Sequence, residues 1–390
     1  MIKLIIQSAH PAPYHAPVFR RISELLSEQG HDCTVIYFSD FSLRNFYEPA
    51  FAITFAWDEP LLDGYRSIIL QEDRKQSMNQ FWHYKAKGFG EILEKEKPTH
   101  FLFTNPYSIG AFKMAFMAKI RGVKNLLRTE TSDEAILRPF PKNLFRKICY
   151  QFFYKLFDGG IAIGRNNLSH MLRHGFQKNQ VTTAFYTVPD RTGVMSSVEK
   201  SLLRKQCRES LGLSPDKKLI MFCGKLHEKK NPDLILDAAE LCSEEEKRRM
   251  AVLLVGSGEL EAELKRKSEK LEFPVYFAGF KNQKELPPYY LAADVFVLPS
   301  RRMGETWGLV VNEALNAGLP SIVSDAVGCG PDFSRFPDFQ TFPSENVAAL
   351  CSCLKKAVNI PRNFERYSDL MKDFSEEVTS RKIVSAILEF

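Results

Sequence analysis

Two carboxylates seven residues apart, Glu305 and Glu313, mark the most informative stretch of this 390-residue chain. They lie in Gly304-Glu305-Thr306-Trp307-Gly308-Leu309-Val310-Val311-Asn312-Glu313, which runs on to Ala317-Gly318-Leu319-Pro320. An apolar run at 294–299 precedes the stretch and another at 321–323 follows it, so both read as buried strands. The pattern between them is a glycine-bearing loop and then a short helix, a βαβ unit. Glu305 falls in the loop and Glu313 inside the helix. The first amides of a helix have no partners within it and favour an anion. An acid placed just before them needs a reason. A sugar supplies one: its hydroxyls bind the acid while the amides take phosphate.

Glu313 carries a second argument. A mid-helix glutamate is ordinarily solvated. Here Val310, Ala314 and Ala317 surround it with apolar or small side chains, so partial burial is expected. A partly buried carboxylate needs partners. A ribose diol offers two donors, each worth on the order of 1.5–3 kcal/mol against a charged group.

Cations gather in a different loop, Gly224-Lys225-Leu226-His227-Glu228-Lys229-Lys230-Asn231. Alone, such lysines are simply solvated. At the same sheet edge as Glu305, they could neutralise a diphosphate through charge-assisted contacts. Gly256-Ser257-Gly258 lacks the third glycine of a dinucleotide loop and implies only close backbone approach.

The elements that must position these residues alternate strand and helix through both halves. In the second half, strands are expected at 218–223, 251–255, 274–279, 294–299, 320–324 and 339–342. In the first half they are expected at 3–8, 32–38, 100–104, 124–128, 159–164 and 180–188. Helices are expected at 77–96 and 110–121, with another ending at Gly30 and a last one at about 375–389. This order describes parallel, doubly wound sheets, which bind ligands at the carboxyl ends of their strands. His10, Tyr14, His15, Asn105 and Glu130 fall at such ends in the first half. They are acceptor-side candidates, or alternatively loop-packing and helix-terminal residues. Residues 46–65 read as an aromatic, irregular lid.

Composition excludes several classes. At 44% hydrophobic and 26% charged, the chain is ordinary for a globular protein of two domains. A net charge of +6 does not by itself argue for nucleic acid, and none is expected as a partner. No run approaches the roughly 20 apolar residues of a membrane span, and no export signal is visible. The eight cysteines form no CxxC pair and are expected as reduced thiols of a cytoplasmic protein.

Residues 138–157 mix Arg138, Lys142, Arg146, Lys147 and Lys155 with five phenylalanines and two tyrosines. A basic amphipathic helix with aromatic anchors suits an anionic membrane surface. Most of its apolar face is expected to pack on the sheet while the lysines snorkel. Its basic edge is left for peripheral membrane contact.

The segment from 217 to about 342 resembles the nucleotide-binding domain of glycosyltransferase family 4, retaining enzymes of the GT-B fold. Glu305 to Glu313 resembles the family's E-x7-E motif. Residues 222–230 are similar to its G-R-L-x-x-x-K segment, with Lys225 at the arginine position and Lys230 at the lysine. Val255-Gly256-Ser257-Gly258 matches its V-G-x-G turn. Residues 324–328, 57–65 and 128–131 look like the bacterial polysaccharide and lipopolysaccharide subgroup. Two departures stand out. Lys225 keeps the charge of the usual arginine but not its fork. The glycine-rich loop after strand one is replaced by residues 10–17.

The resemblance implies an α/β GT-B architecture: two doubly wound Rossmann-like domains facing each other across a cleft. Their expected bounds are 1–190 for acceptor binding and 201–373 for the nucleotide sugar. A linker is expected at 191–200, and a C-terminal helix at 374–390 that could return to the first domain. Lys225 and Lys230 would bind the donor diphosphate, with Gly224 and Gly256 in the adjoining turns. Glu305 would contact the transferred sugar, and Thr306, Trp307, Gly308 and Leu309 would supply backbone amides. Glu313 would hold the ribose, and Phe280 and Lys281 would contact the base. Glu305, Lys230 and Lys225 are the catalytic candidates. The motifs require no metal or other cofactor. The implied partners are a nucleotide sugar and a glycan or lipid-linked acceptor, met at the inner face of the cytoplasmic membrane. Two other functions fit the same architecture: a nucleotide-sugar epimerase, and a non-catalytic nucleotide-sugar-binding partner in a glycan-assembly complex.

Overall fold

In the computed structural model, which describes residues 1–49, 51–73 and 80–390, apolar runs become two parallel sheets. The first sheet is built from β1 (Lys3–Ser8), β2 (Asp32–Ser39), β5 (Arg66–Gln71), β6 (His100–Phe103), β7 (Lys124–Leu127), β8 (Gly159–Ala162) and β9 (Val181–Thr183). Between β2 and β5 the chain makes a separate antiparallel ribbon, β3 (Phe46–Glu48) and β4 (Ile53–Phe55). Strand order in the first sheet is β5-β2-β1-β6-β7-β8-β9. The second sheet contains β10 (Lys218–Cys223), β11 (Met250–Val255), β12 (Val275–Gly279), β13 (Val295–Leu298), β14 (Ser321–Ser324) and β15 (Gln340–Phe342), in the order β12-β11-β10-β13-β14-β15.

Each order reverses beside the first strand of its sheet, at β1/β6 and at β10/β13. A doubly wound sheet opens its ligand crevice at such a switch point. The central strands are buried on both faces and read as nearly unbroken apolar runs, such as Leu-Ile-Met-Phe-Cys of β10.

Local chemistry sets the element ends. Gly30, at φ +73°, stops the helix Ala16–Ser27: its amide donates to Ser27 and the His31 amide to Leu26, closing a Schellman turn. The last helix, Glu376–Glu389, is capped by the Ser375 side chain. It buries Ile383, Val384, Ala386 and Ile387 against Leu4, Ile6, Val18 and Ile22 of the first half.

The structure differs from the sequence expectations at six places. The helix expected at 77–96 is two pieces, Gln80–His83 and Phe89–Glu96, parted by Gly88 at φ +69°; its first residues, 77–79, lie outside the described residues. The 46–65 lid contains the β3–β4 ribbon, so it is more regular than expected. β5 forms an edge strand where none was expected, and β9 is only three residues long. Inside the expected 191–200 linker a helix begins, Ser197–Ser210, started by a capping box of Ser196 and Glu199. The basic helix spans Phe140–Tyr154, and Tyr154 is its one buried residue. Only part of its apolar face packs as expected: Tyr150, Phe153 and Tyr154 meet the first-half core, while Phe140, Leu144, Phe145, Ile148 and Phe152 are exposed.

Candidate active site

Glu305 sits where the two halves meet. The loop that carries it is pinned to the first half: the Gly304 amide donates to Ala135 (2.9 Å), and Ile136 and Met303 form a β-bridge. Glu305 is only 6% exposed, yet it is charged for a reason. Its Oε2 lies 2.6 Å from the Lys230 ammonium and accepts from Ser300 Oγ at 3.2 Å. Burial pushes its carboxyl up, but the neighbouring Lys230 and Lys229 outweigh burial and hold it below its ordinary range. Lys229 donates to the Gly304 carbonyl at 2.7 Å, so two cations flank one acid.

Gly308, at φ +98°, turns the chain into the helix Leu309–Asn316. A side chain there would meet Leu298 and Val327 at 3.0 Å. One turn on, Glu313 accepts from the Tyr290 hydroxyl at 2.6 Å. Burial raises its carboxyl above the ordinary value despite that bond. Glu313 faces a narrow pocket with Arg191, Thr192, Gln283, Pro287 and Tyr290 on its walls.

The lysine loop stands across from these acids. Lys225 is held from the first half: its ammonium lies 3.1 Å from Glu48 and 5.0 Å from the centre of the Phe51 ring. Gly256 and Gly258 serve this loop directly. A Cβ on Gly256 would stand 1.9 Å from the Gly224 carbonyl oxygen, and one on Gly258 would stand 2.4 Å from that of Leu226. The close backbone approach expected at this turn is therefore between two protein loops. The Gly224 and Gly256 amides are already bonded to Val255 and Gly279, so neither donates to a ligand. Trp307 has its indole in the core, bonded to Asn312 Oδ1 at 2.9 Å, leaving only its backbone for a ligand. Phe280 packs on Phe55, and Lys281 lies over Tyr289.

On the first-half side, His15, Tyr186 and Glu130 form a chain. The Tyr186 hydroxyl donates to Glu130 Oε1 at 2.6 Å and meets His15 Nε2 at 2.9 Å. Glu130 Oε2 accepts from Thr306 Oγ1 at 3.0 Å, so the chain ends on the Glu305 loop. The Tyr186 carbonyl accepts from Asn312, which also holds Trp307. Tyr14 packs edge-on against His15, and both line a pocket with Arg128 and Glu130. His10 packs at a tilt against Phe41 instead, and Asn105 lies outside that pocket while its neighbour Thr104 lines it.

Sequence reasoning missed Glu48, Tyr186, Tyr290 and Ser300. A tyrosine at the end of an expected strand was the one available signal for Tyr186.

His15 gives a pH prediction. Burial, with Arg128 nearby, holds its imidazole down at about 3. Below pH 6.5 the unfolded chain takes up a proton that the native state refuses, so stability falls as pH drops from about 6.5 toward about 3. Between pH 7 and 5 the loss from this group is about 2 kcal/mol, at about 1.4 kcal/mol per unit below 6.5. Urea unfolding should show His15→Gln losing less than wild type over that interval by about this amount. Equal losses would remove the assignment.

Among the described residues one group has metal-ligand types, Asp133, His170 and His174. The Asp133 carboxylate already meets His170 Nδ1 at 3.0 Å and His174 Nε2 at 3.1 Å. Arg146 and Arg173 approach it at 3.6 and 3.7 Å. A divalent ion there would face two guanidiniums, so the cluster fits a hydrogen-bonded anchor better than a metal centre.

Two parallel doubly wound sheets, with a cleft between their carboxyl edges, define the GT-B fold. Solved structures agree over the full length. The chain superposes on Anabaena Alr3699/HepE in complex with UDP and glucose with a TM-score of 0.69, at 14% identity and covering 100% of both chains. For the apo lipopolysaccharide outer core galactosyltransferase WaaB the TM-score is 0.68, at 12% identity, covering 100% of this chain and 99% of that one. At these identities the likeness speaks for the fold alone. Residues 204–335 match the family model described as Glycosyl transferases group 1. The chain is 30% identical over 164 residues to mannosylfructose-phosphate synthase of Agrobacterium fabrum, covering 40% of this chain and 32% of that protein. It is 38% identical over 135 residues to D-inositol 3-phosphate glycosyltransferase 2 of Catenulispora acidiphila, covering 32% and 31%. The chain thus spans about a third of the length of the curated relatives it matches.

Proposed function

We propose that the chain is a retaining glycosyltransferase of family 4. It moves a sugar from a nucleotide-sugar donor to a glycan or lipid-linked acceptor in cell-surface polysaccharide assembly. One observation carries the reading: the buried Lys230–Glu305 pair lies at the mouth of a helix whose next turn aims Glu313 into a pocket. Phosphate, sugar and ribose each meet a group of fitting chemistry along this line.

In this reading the donor diphosphate lies against Lys230 and Lys225, and the sugar hydroxyls reach Glu305. The start of the helix Leu309–Asn316 adds positive potential. As the bond to the anomeric carbon breaks, charge grows on the leaving phosphate. The lysines stabilise it, an electrostatic role without a protein nucleophile. The departing phosphate oxygen takes the acceptor hydroxyl's proton while the acceptor oxygen bonds the anomeric carbon on that same face, so configuration is retained. Ribose hydroxyls donating to Glu313 relieve a carboxyl that burial otherwise disfavours as an anion.

The test is release of nucleoside diphosphate from a panel of UDP-, GDP-, ADP- and dTDP-sugars, with a bacterial lipid extract as acceptor source. One donor class should turn over. An epimerised donor without release would favour the epimerase, and no turnover of any donor would contradict the reading.

The proposal extends to a membrane surface. Phe140, Leu144, Phe145, Ile148 and Phe152 are all exposed along the basic helix. The neighbouring helix, Ile109–Ile120, adds Phe112, Phe116 and Ile120, and Phe112 stacks on Phe153 to join the two. Neither helix contains an acidic residue, while Lys113, Lys119, Lys142, Arg146 and Lys147 lie on them. Such a face suits an anionic bilayer interface. Among the described residues no helix is long and apolar enough to cross a membrane. The chain should co-sediment with phosphatidylglycerol vesicles and much less with phosphatidylcholine alone. Phe145→Ser with Phe152→Ser should weaken that binding at least about tenfold, since each ring removed from water contributes about 1.5 kcal/mol or more. Unchanged sedimentation would contradict the membrane contact.

A further inference from the structure

Three of the four loops assigned to the donor, all but the Glu305 loop, are held by one segment of the other half, residues 46–49 and 51–58. Its ribbon rests on its own half through Phe41, Phe46 and Phe55, with Trp57 packed beside them. From there it reaches across. Glu48 pairs with Lys225 of the lysine loop at 3.1 Å. The Phe51 carbonyl accepts from Ser257 Oγ of the glycine turn at 2.7 Å. The Ala56 carbonyl accepts from Asn282 Nδ2 at 2.7 Å, and Asp58 Oδ2 accepts from the Lys284 amide at 3.0 Å, both in the loop assigned to the base. Phe280 of that loop wedges between Phe51 and Phe55 at 5.1 and 4.5 Å between ring centres.

The two phosphate-binding lysines are therefore not equivalent. Lys230 takes its carboxylate, Glu305, from its own half and keeps it however the halves move. Lys225 takes its carboxylate from the segment across the cleft. That carboxylate holds the ammonium a diphosphate would need for its own charge-assisted contact.

We propose that residues 46–58 form a clasp that competes with the donor: Glu48 stands on Lys225 in place of donor phosphate, and the diphosphate exchanges with it and frees the segment from the donor loops. This rests on the nucleotide-sugar reading of the site.

Physical scale favours exchange. The Lys225 and Glu48 side chains are 35% and 18% exposed, so water screens the pair and its contribution is small. A diphosphate brings more charge and more acceptors than a carboxylate. An isolated two-stranded ribbon is marginally stable, so the segment can leave the donor loops without unfolding a sheet. A site that must first open binds its ligand more weakly by the fraction of molecules already open. Loosening the clasp anywhere therefore tightens donor binding.

The test uses titration calorimetry with UDP, GDP and ADP on the full chain, with wild type, Glu48→Gln and Asp58→Ala. Asp58 accepts from the Lys284 backbone and, among the described residues, pairs with no lysine ammonium, so its replacement loosens the clasp without breaking the Lys225–Glu48 pair itself. For whichever nucleotide wild type binds, both variants should bind more tightly, by about two- to fivefold as expected for one weak contact. Hydrogen exchange of peptides from 46–58 should rise when wild type binds that nucleotide. If Glu48→Gln alone tightens binding, Glu48 is a fixed repulsive wall and the clasp is overturned. Protection of 46–58 on binding, or unchanged affinities in both variants, overturns it equally. If wild type binds none of the three, the nucleotide reading itself has failed, which the variants' response cannot imitate.

Discussion

Glu305→Gln should cut nucleoside diphosphate release on the order of a thousandfold, the scale of removing one preorganised charge contact to a reacting group. The fold should survive, because glutamine fills the same space and can still meet Ser300 and Lys230. Alanine is the poorer test. It would leave Lys230 and Lys229 beside a hole, and stripping one partner from a buried ion pair costs about 3–5 kcal/mol. The two variants therefore separate chemistry from stability. Glutamine removes the charge but keeps an acceptor and fills the space, so it should lose activity with a smaller fall in melting temperature than alanine, which should lose both. Full turnover in Glu305→Gln would show that this acid does not meet the sugar.

The largest expected effect on stability lies at Asp294→Ala. This carboxylate is 4% exposed and joins three elements. It accepts from Arg204 at 2.7 Å, from Arg208 at 3.2 Å and from the Leu219 amide at 2.8 Å. The two arginines belong to the helix Ser197–Ser210, and Leu219 to β10. Alanine leaves Arg208 largely buried without its counter-charge, so the loss should be about 3–5 kcal/mol in urea unfolding. The helix also anchors the strand-to-helix connection at 189–192, which walls the Glu313 pocket. Nucleotide affinity should fall in the same variant under conditions where it remains folded. Asp294→Asn keeps an acceptor for Leu219 and should lose less. A loss below about 1 kcal/mol would mean that water or the nearby carbonyls replace the carboxylate.

The second sheet was legible because its strands are short, continuous apolar runs bounded by glycine or proline. Glu305 and Glu313 were legible for a related reason: a loop and a helix between two such runs must lie at the sheet's carboxyl edge. β5 was not, since Arg66-Ser67-Ile68-Ile69-Leu70-Gln71 is an edge strand directly after an aromatic, irregular stretch. The packing of the helix Phe140–Tyr154 was legible only in part, because amphipathicity shows that a face is apolar and not what covers it: Tyr150, Phe153 and Tyr154 pack, and five other apolar residues do not. Glu48 could not be found at all. Its partner is in the other half, and no local pattern carries a contact of that range. The two glycines at 256 and 258 were read as close approach, but only the structure shows that the approaching group is the neighbouring loop.

The central claim is that Lys225, Lys230 and Glu313 form one nucleotide site. Calorimetric titration of Glu313→Gln beside wild type, with each common nucleoside diphosphate in turn, addresses it most directly. Wild type should bind one of them selectively over the others, and Glu313→Gln should bind it at least about tenfold more weakly, the loss of a hydrogen bond to a charged group. Binding of no nucleoside diphosphate, or binding indifferent to Glu313, would contradict it.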